Sequence, residues 1–575
     1  MVTLSSSPFP ATFAQQRLWL LQTMDVSGTA HHLVEAFRVR GPLDEAALAD
    51  AVTAMLARHD SLRTHFAEAD GAVVQLVDPV GDLDSPRYRQ CRRSSDLGAE
   101  FATDGEAAVD RFVRGLATEP FDLQTGPLFR VRLGRLAGED HVLVFVTHHT
   151  VCDGWSLRQL FTELAADYGR RRAGEPVPAG DRQPQYADYA ARERERRDLG
   201  QFDDDLRYWA GQLAGAPTLL ELPSDRPRGR AAFPAADTLD FTVPPPVLTG
   251  LRALCGQARS TLFIVLLAGF EVVLSRFSGA SDLLVGVPLS GRTQPETEQI
   301  VGMFVNTVAL RADLSDDPTF IDLVARTREV VLDGREHGEL PFQSLVEHLN
   351  PGRVPGVNPL VQVMFQLLEG SFFSGLPLAG TEVTPVPSSQ PATAFDLSLD
   401  MVVDDRGLRG SLNYSQDLFD RDTVSGFASA FLVLLAAAAQ DPTRRVSALP
   451  LLSAAGEREL LDRLGHGPVV PVPPDATVLT FLQQQIGASA GLPALSDGSR
   501  QWTFTEVGQD VDALAAELVR RGVAAGQPVG LLVRRSGRLP LGMLGILRAG
   551  AILVPLDSEH PAERLRTMID PRPVW

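Results

Sequence analysis

Residues 141–147, HVLVFVT, form a near-continuous apolar run of strand length that leads directly into 147-THHTVCDGWS-156. A run without polar alternation reads as a strand buried on both faces. Such a strand must be covered by other layers on either side, so the chain is predicted to be an α/β (α+β) protein rather than a bundle or a one-sided sheet. Beyond the loop, Leu157, Leu160, Phe161, Leu164, Ala165 and Tyr168 recur at helical spacing, and Ser156 with Gln159 has a capping-box pattern. The reading is a buried strand ending at two adjacent histidines, then a short loop, then a helix starting at Ser156.

The chain has 575 residues, which at about 100–200 residues per domain gives three or four folding units. With 44% hydrophobic and 22% charged residues, disorder and a small disulfide scaffold are excluded. Cys91, Cys152 and Cys255 are an odd set without a CxxC pair. They argue against a disulfide framework or a thiolate zinc site and fit a reducing, cytoplasmic setting. All 53 basic residues are arginine, and no lysine is present. That removes Schiff-base, P-loop-lysine and lysine-nucleophile chemistry. A net charge of −19 argues against nucleic acid or an anionic membrane as partner. The opening MVTLSSSPFP has no basic n-region or apolar h-region. The longest apolar runs, 262–270 and 431–439, fall short of the roughly 20 residues of a membrane span.

Further helices are predicted at 44–59, where Ala47, Leu48, Ala51, Val52, Met55 and Leu56 share a stripe, at 261–277, and around 318–332 and 421–439. A strand is predicted at 283–288. The Arg- and Pro-rich stretch 169–185 and the Pro/Gly cluster 465–475 read as linkers. The last hundred residues hold a helix at 508–521, a strand at 528–533 and a helix near 539–549.

Chemistry centres on the histidine loop. A neutral, oriented imidazole accepts a proton near neutral pH, so the pair either buttresses the strand end or supplies a base. A zinc site is disfavoured, because adjacent histidines rarely share one ion and no third ligand stands nearby. Asp153 is expected to brace the loop through a charged partner such as Arg63, and Gly154 to permit a tight, positive-φ turn. The clusters 88-YRQCRR-93, 170-RRR-172 and 192-RERERR-197 either meet an acidic protein surface or form solvated helix faces, the second being preferred.

With Trp155 and Ser156, the HHxxxDG pattern resembles the signature of condensation domains of nonribosomal peptide synthetases, members of the chloramphenicol-acetyltransferase-like superfamily. Other segments resemble that family's motifs in order: 12-TFAQQRLWLL-21, 58-RHDSLRTHF-66, 120-PFDLQTGPLFRVRL-133, 186-YADYA-190, 222-LPSDRPR-228, 301-VGMFVNTVALR-311, 341-PF-342 and 358-NPLVQVMFQL-367. The likeness covers about residues 10–450. Cys152, Thr147 and the segment 353-RVPGV-357, which lacks an acidic residue after Arg, depart from the usual pattern.

The resemblance implies two lobes in a V-shaped pseudo-dimer, 10–175 and 176–450, a linker at 451–475 and a partial adenylation-domain fragment at 476–575. The last rests on 502-WTFTEVGQDVDALAAELVRRGV-523 and 543-MLGILRAGAILVPLDSEHPAERL-565. That fragment stops before the family's phosphate loop and catalytic lysine, so it is not expected to form an adenylate. The implied reaction is amide formation between a donor thioester and an acceptor amine, each carried on the 4'-phosphopantetheine arm of a peptidyl carrier protein supplied in trans. No tightly bound cofactor is implied. His149 is the implied base or positioning group, with His148, Asp153 and Gly154 beside it, Gly154 offering an N–H to the oxyanion. Arg63, Trp155 and Asn306 are the implied structural supports. The RHDSLRT form resembles domains that accept an L-configured donor. The competing readings are epimerisation of a carrier-bound residue and a non-catalytic recruitment module.

Overall fold

The computed structural model describes residues 8–25, 27–176, 183–229, 231, 233–352, 354–370, 375–387, 392–467 and 470–569; Arg353 and parts of the linkers predicted at 169–185 and 465–475 lie outside them. The chain divides into one compact unit up to Arg458 and a second from Glu459.

The first unit has two lobes, each built on a mixed sheet. In the first lobe the strand order is Glu382–Val386, His32–Arg40, Asp140–His148, Phe129–Ala137, Arg92–Asp96, antiparallel except for the last pair. The predicted apolar run sits at the centre of this sheet, and its residues from His141 to His148 are all buried. One face is covered by the helices Glu45–Arg58 and Gly154–Arg172, through Leu48, Leu56, Phe145, Leu160 and Leu164. The other face packs on the helix Glu106–Ala117, through Val109, Val113, Val142 and Val144. The edge strand Glu382–Val386 comes from far along the chain, so the second half of the sequence completes the first half's sheet.

The second lobe's sheet has the order Asn306–Asp313, Asp282–Leu289, Val363–Glu369, Leu397–Asp404, Gly407–Ser415, Ala236–Val243. Helices Pro245–Gln257, Leu262–Ser278, Phe320–Glu336 and Arg421–Gln440 contribute to its core. Leu262–Ser278 starts where the Thr261 hydroxyl accepts from the Ile264 N–H and stops at Gly279, whose φ of 75° ends it in the left-handed form. By length and composition Arg421–Gln440 reaches what a membrane span requires, more than the run 431–439 suggested. Its Val424, Phe427, Phe431, Leu434 and Leu435 are nevertheless buried in this core, as in the central helix of a folded domain.

Three local expectations are corrected. The helix predicted at Ser156 begins at Gly154, with Asp153 as N-cap accepting from the Ser156 N–H at 2.8 Å. Gly154 therefore adopts no left-handed turn. The same helix runs on through Arg172, taking 170-RRR-172 out of the predicted linker, and its last-turn arginines suit the negative end of the helix dipole.

In the second unit the helices Val478–Ser489, Phe504–Arg520 and Arg538–Arg548 accompany two small sheets. The parallel pair Pro528–Leu532 and Ile552–Leu556 is joined through Arg538–Arg548. Trp502, Val507, Val511 and Leu541 form this unit's core.

Candidate active site

The central strand of the first lobe ends at His148, opposite His32 in the neighbouring strand. The His148 ring is fully buried, with Nδ1 at 2.8 Å from the Thr150 hydroxyl and Nε2 at 3.2 Å from the Gln22 amide oxygen. Burial holds its pKa well below the usual imidazole range, and the neighbouring His31 and His32 add to that. His148 is thus a neutral brace inside the lobe. One residue on, the His149 N–H donates to the His31 carbonyl at 2.8 Å, which directs the next side chain away from the core. The His149 ring lines a cavity, and its Nδ1 has no hydrogen-bond partner among the described residues. Burial lowers its pKa while the Asp153 carboxylate partly opposes the shift. The ring is therefore a free base at neutral pH, able to accept a proton.

Asp153 does not pair with Arg63, as expected from the sequence. Its partner is Arg292 of the second lobe, at 3.1 Å, with side chains 0% and 1% exposed. The second Asp153 oxygen accepts from the Phe304 N–H at 3.0 Å. Arg292 also donates to the Ile300 carbonyl at 2.7 Å and the Ser156 hydroxyl at 2.8 Å, and lies over the Phe304 ring. Arg63 is spent elsewhere, on the carbonyls of Leu56 and Asp78 and on the Asp60 carboxylate.

The loop is tied to the second lobe at further points. The Trp155 indole donates to the Glu298 carbonyl at 3.0 Å, and Ser156 exchanges hydrogen bonds with both backbone groups of Gly302. Asn306 donates to the carbonyls of Gly338 and Leu340 and accepts from the Phe342 N–H, a purely local brace on the cavity wall. The cluster 192-RERERR-197 is a solvated face only in part, with Arg192, Glu195 and Arg197 exposed and the other three residues turned inward. Glu193 accepts from the Phe13 N–H at 2.9 Å, Arg194 donates to the Ala11 carbonyl, and Arg196 pairs with Glu339.

The fit at this seam is tight. A Cβ on Gly302 would stand 2.0 Å from Cδ2 of Tyr186. Tyr186 is buried, and its hydroxyl is held by Thr12 and by the Met303 carbonyl. Gly302→Ala is expected to cost about 1–3 kcal/mol of stability through overpacking. An unchanged denaturant midpoint for this variant would contradict the seam geometry.

The cavity has a volume of about 1080 Å³ and takes its wall from both lobes: Arg17, His31 and His149 from the first, and Met303, Asn306 and Asp400 among others from the second. His148, Asp153, Gly154, Trp155 and Arg63 do not line it. Of the four residues expected to be catalytic, only His149 reaches the cavity. The Gly154 N–H opens the helix rather than the cavity and is not placed to receive an oxyanion. His31 escaped the sequence reading although it belongs to a second adjacent pair, 31-HH-32. Burial pulls its pKa down to about 3, and its Nδ1 is likewise without a partner among the described residues.

A family model described as the condensation domain matches residues 6–461 of this chain. The chain belongs to the condensation-domain family. After the condensation domain, the model of AMP-binding enzymes matches residues 482–571. A linear gramicidin synthase of Brevibacillus parabrevis is 36% identical over 577 residues, covering 97% of this chain and 11% of the synthase polypeptide. The condensation domain and its tail thus span about a tenth of that relative. Among solved structures, a four-domain nonribosomal peptide synthetase bound to AMP and glycine superposes with a TM-score of 0.79 at 25% identity, covering 98% of this chain and 42% of the other. The X-domain from teicoplanin biosynthesis gives a TM-score of 0.69 at 28% identity, covering 79% of this chain and 99% of its own. The expected two-lobed α/β fold with a C-terminal adenylation-type fragment holds. Condensation domains of such synthetases work with carrier-protein domains.

Proposed function

We propose that this condensation domain joins a donor acyl or peptidyl thioester to the amine of an acceptor aminoacyl thioester, each delivered on the phosphopantetheine arm of a separate carrier protein. The observation that carries the reading is the His149 imidazole lining a cavity walled by both lobes. A cavity of about 1080 Å³ lies at the top of the roughly 300–1,000 Å³ range of small-molecule sites.

The acceptor nitrogen attacks the donor carbonyl, so that a C–N bond forms and the C–S bond breaks. The nitrogen loses a proton, which His149 accepts and then returns to the departing thiolate, giving the free thiol. Because a thioester is already activated, most of the help comes from holding amine and carbonyl together, worth about 7–11 kcal/mol. His149 adds proton transfer or a hydrogen bond to the attacking nitrogen. His148, Asp153 and Arg292 act through the loop that carries it.

The deciding experiment incubates the chain with two separately loaded carrier proteins and weighs both arms by mass spectrometry. The acceptor arm should gain the donor acyl group while the donor arm returns to a free thiol. A loaded donor arm that never empties, or an inverted α-carbon with no mass transfer, would sink the proposal, the second outcome indicating epimerisation.

A further inference from the structure

The second lobe's sheet has two chemically distinct faces. Leu397, Leu399 and Met401 are buried in the core with the helices. Ser398 and Asp400, alternating with them along the same strand, line the cavity beside Met364, Gln366 and Asn413. Gln366 sits opposite Asp400 in the parallel pairing and donates its amide to one carboxylate oxygen at 2.8 Å. The Asn413 amide donates to the other oxygen. The Thr238 hydroxyl donates to the Asn413 amide oxygen at 2.7 Å, which fixes the direction of that amide.

Two neutral amides therefore orient this carboxylate without neutralising it. No basic side chain among the described residues is paired with Asp400, and burial raises its pKa to about 6. The carboxylate lines the cavity without a counter-charge among the described residues, and a cation entering beside it would supply one. Each oxygen has accepted one hydrogen and keeps further lone-pair capacity towards the cavity.

We infer that Asp400, held by Gln366 and Asn413, recognises a side-chain ammonium on an aminoacyl or peptidyl group brought into the cavity. This rests on the proposed function for how such a group arrives. An ammonium fits better than a guanidinium, because the two amides already occupy one position on each oxygen and leave a point-like donor the easier match. The ammonium is a side-chain one because the reacting α-amine must give up its proton to attack, whereas a side-chain ammonium keeps its charge for Asp400.

The test uses four probes with the full chain in titration calorimetry: pantetheine amides of lysine, norleucine, 6-aminohexanoic acid and hexanoic acid. They carry both ammonium groups, only the α one, only the distal one, and neither. The lysyl and 6-aminohexanoyl probes should bind about tenfold or more tightly than their partners lacking the distal ammonium, the scale of a charge-assisted hydrogen bond. Asp400→Asn should reduce that preference to less than about twofold while leaving the hexanoyl probe's affinity unchanged, which also shows that the variant is folded. A wild type blind to the distal charge, including one that binds none of the probes, overturns the inference. So does a preference that follows the α-ammonium alone, or one that survives in Asp400→Asn. No amide is formed in this measurement, so a failure of the condensation reading and a failure of this one are seen separately.

Discussion

Arg292→Met is expected to destabilise the two-lobed unit by about 3–5 kcal/mol, the cost of leaving a buried carboxylate without its counter-charge. Arg292 and Asp153 are 1% and 0% exposed, so solvent cannot take over the role of the missing guanidinium. The loss extends beyond one pair, because Arg292 also holds the carbonyl of Ile300 and the hydroxyl of Ser156. The measurement is denaturant unfolding of a double-mutant cycle in which Asp153→Asn removes the charge but keeps an oxygen to cap the helix. Asp153 and Arg292 should couple strongly, the double variant costing well under the sum of the singles. Asp153 with Arg63→Met should add to within about 0.3–0.5 kcal/mol, since those residues share no contact. Additivity for the first pair and coupling for the second would restore the pairing expected from the sequence and refute the one observed.

That reversal shows where local reasoning stops. The buried strand was legible because an unbroken apolar run has one economical fate, and the helix after it because its apolar stripe follows a period that local geometry imposes. Even there, the cap was misplaced by three residues. Ser156 and Gln159 satisfy the capping pattern on paper, but the Asp153 carboxylate reaches the Ser156 N–H first. The choice of arginine is a different problem. Asp153 and Arg292 are 139 residues apart, and nothing in their local sequence distinguishes Arg292 from the other arginines. The pairing exists only because the second lobe's 290–304 segment crosses the first lobe's helix start.

The strand Glu382–Val386 joins the first lobe's sheet for the same reason, through a path of the chain that periodicity does not encode. The polar face carrying Asp400 did leave a trace, since 397-LSLDM-401 alternates apolar and polar residues. Alternation reveals a two-faced strand but not that the polar face looks into a cavity instead of bulk water. The histidine loop was visible as chemistry-bearing residues. Which of its members touches the cavity depends on the turn after His148, where the His31 carbonyl takes the His149 N–H.

His149→Ala is expected to lower the rate of amide formation between two loaded carriers by about 10²–10⁴-fold, the usual contribution of a positioned acid or base. The rate should not fall to that of the uncatalysed reaction, because the cavity still holds amine and thioester together. Stability should change little. The ring lines the cavity, and its polar neighbours are backbone groups of its own loop and the Asp153 carboxylate, which keeps Arg292 as its partner. His148→Ala is the contrasting case, since it opens a hole in the core and leaves Thr150 and Gln22 without their contacts. The pH profile separates a proton acceptor from a steric wall. Burial lowers the His149 pKa from its ordinary value, so protonation of the ring belongs to the range below about 6.5, whereas protonation of the acceptor amine slows wild type and variant alike at higher pH. The limb in which His149 gains a proton and can no longer accept one should lie only in that lower range and vanish in the alanine variant, leaving the amine's limb alone. A variant that keeps the wild-type rate, or one that is slow but keeps that lower limb, would remove His149 from the chemistry and leave it a lining residue.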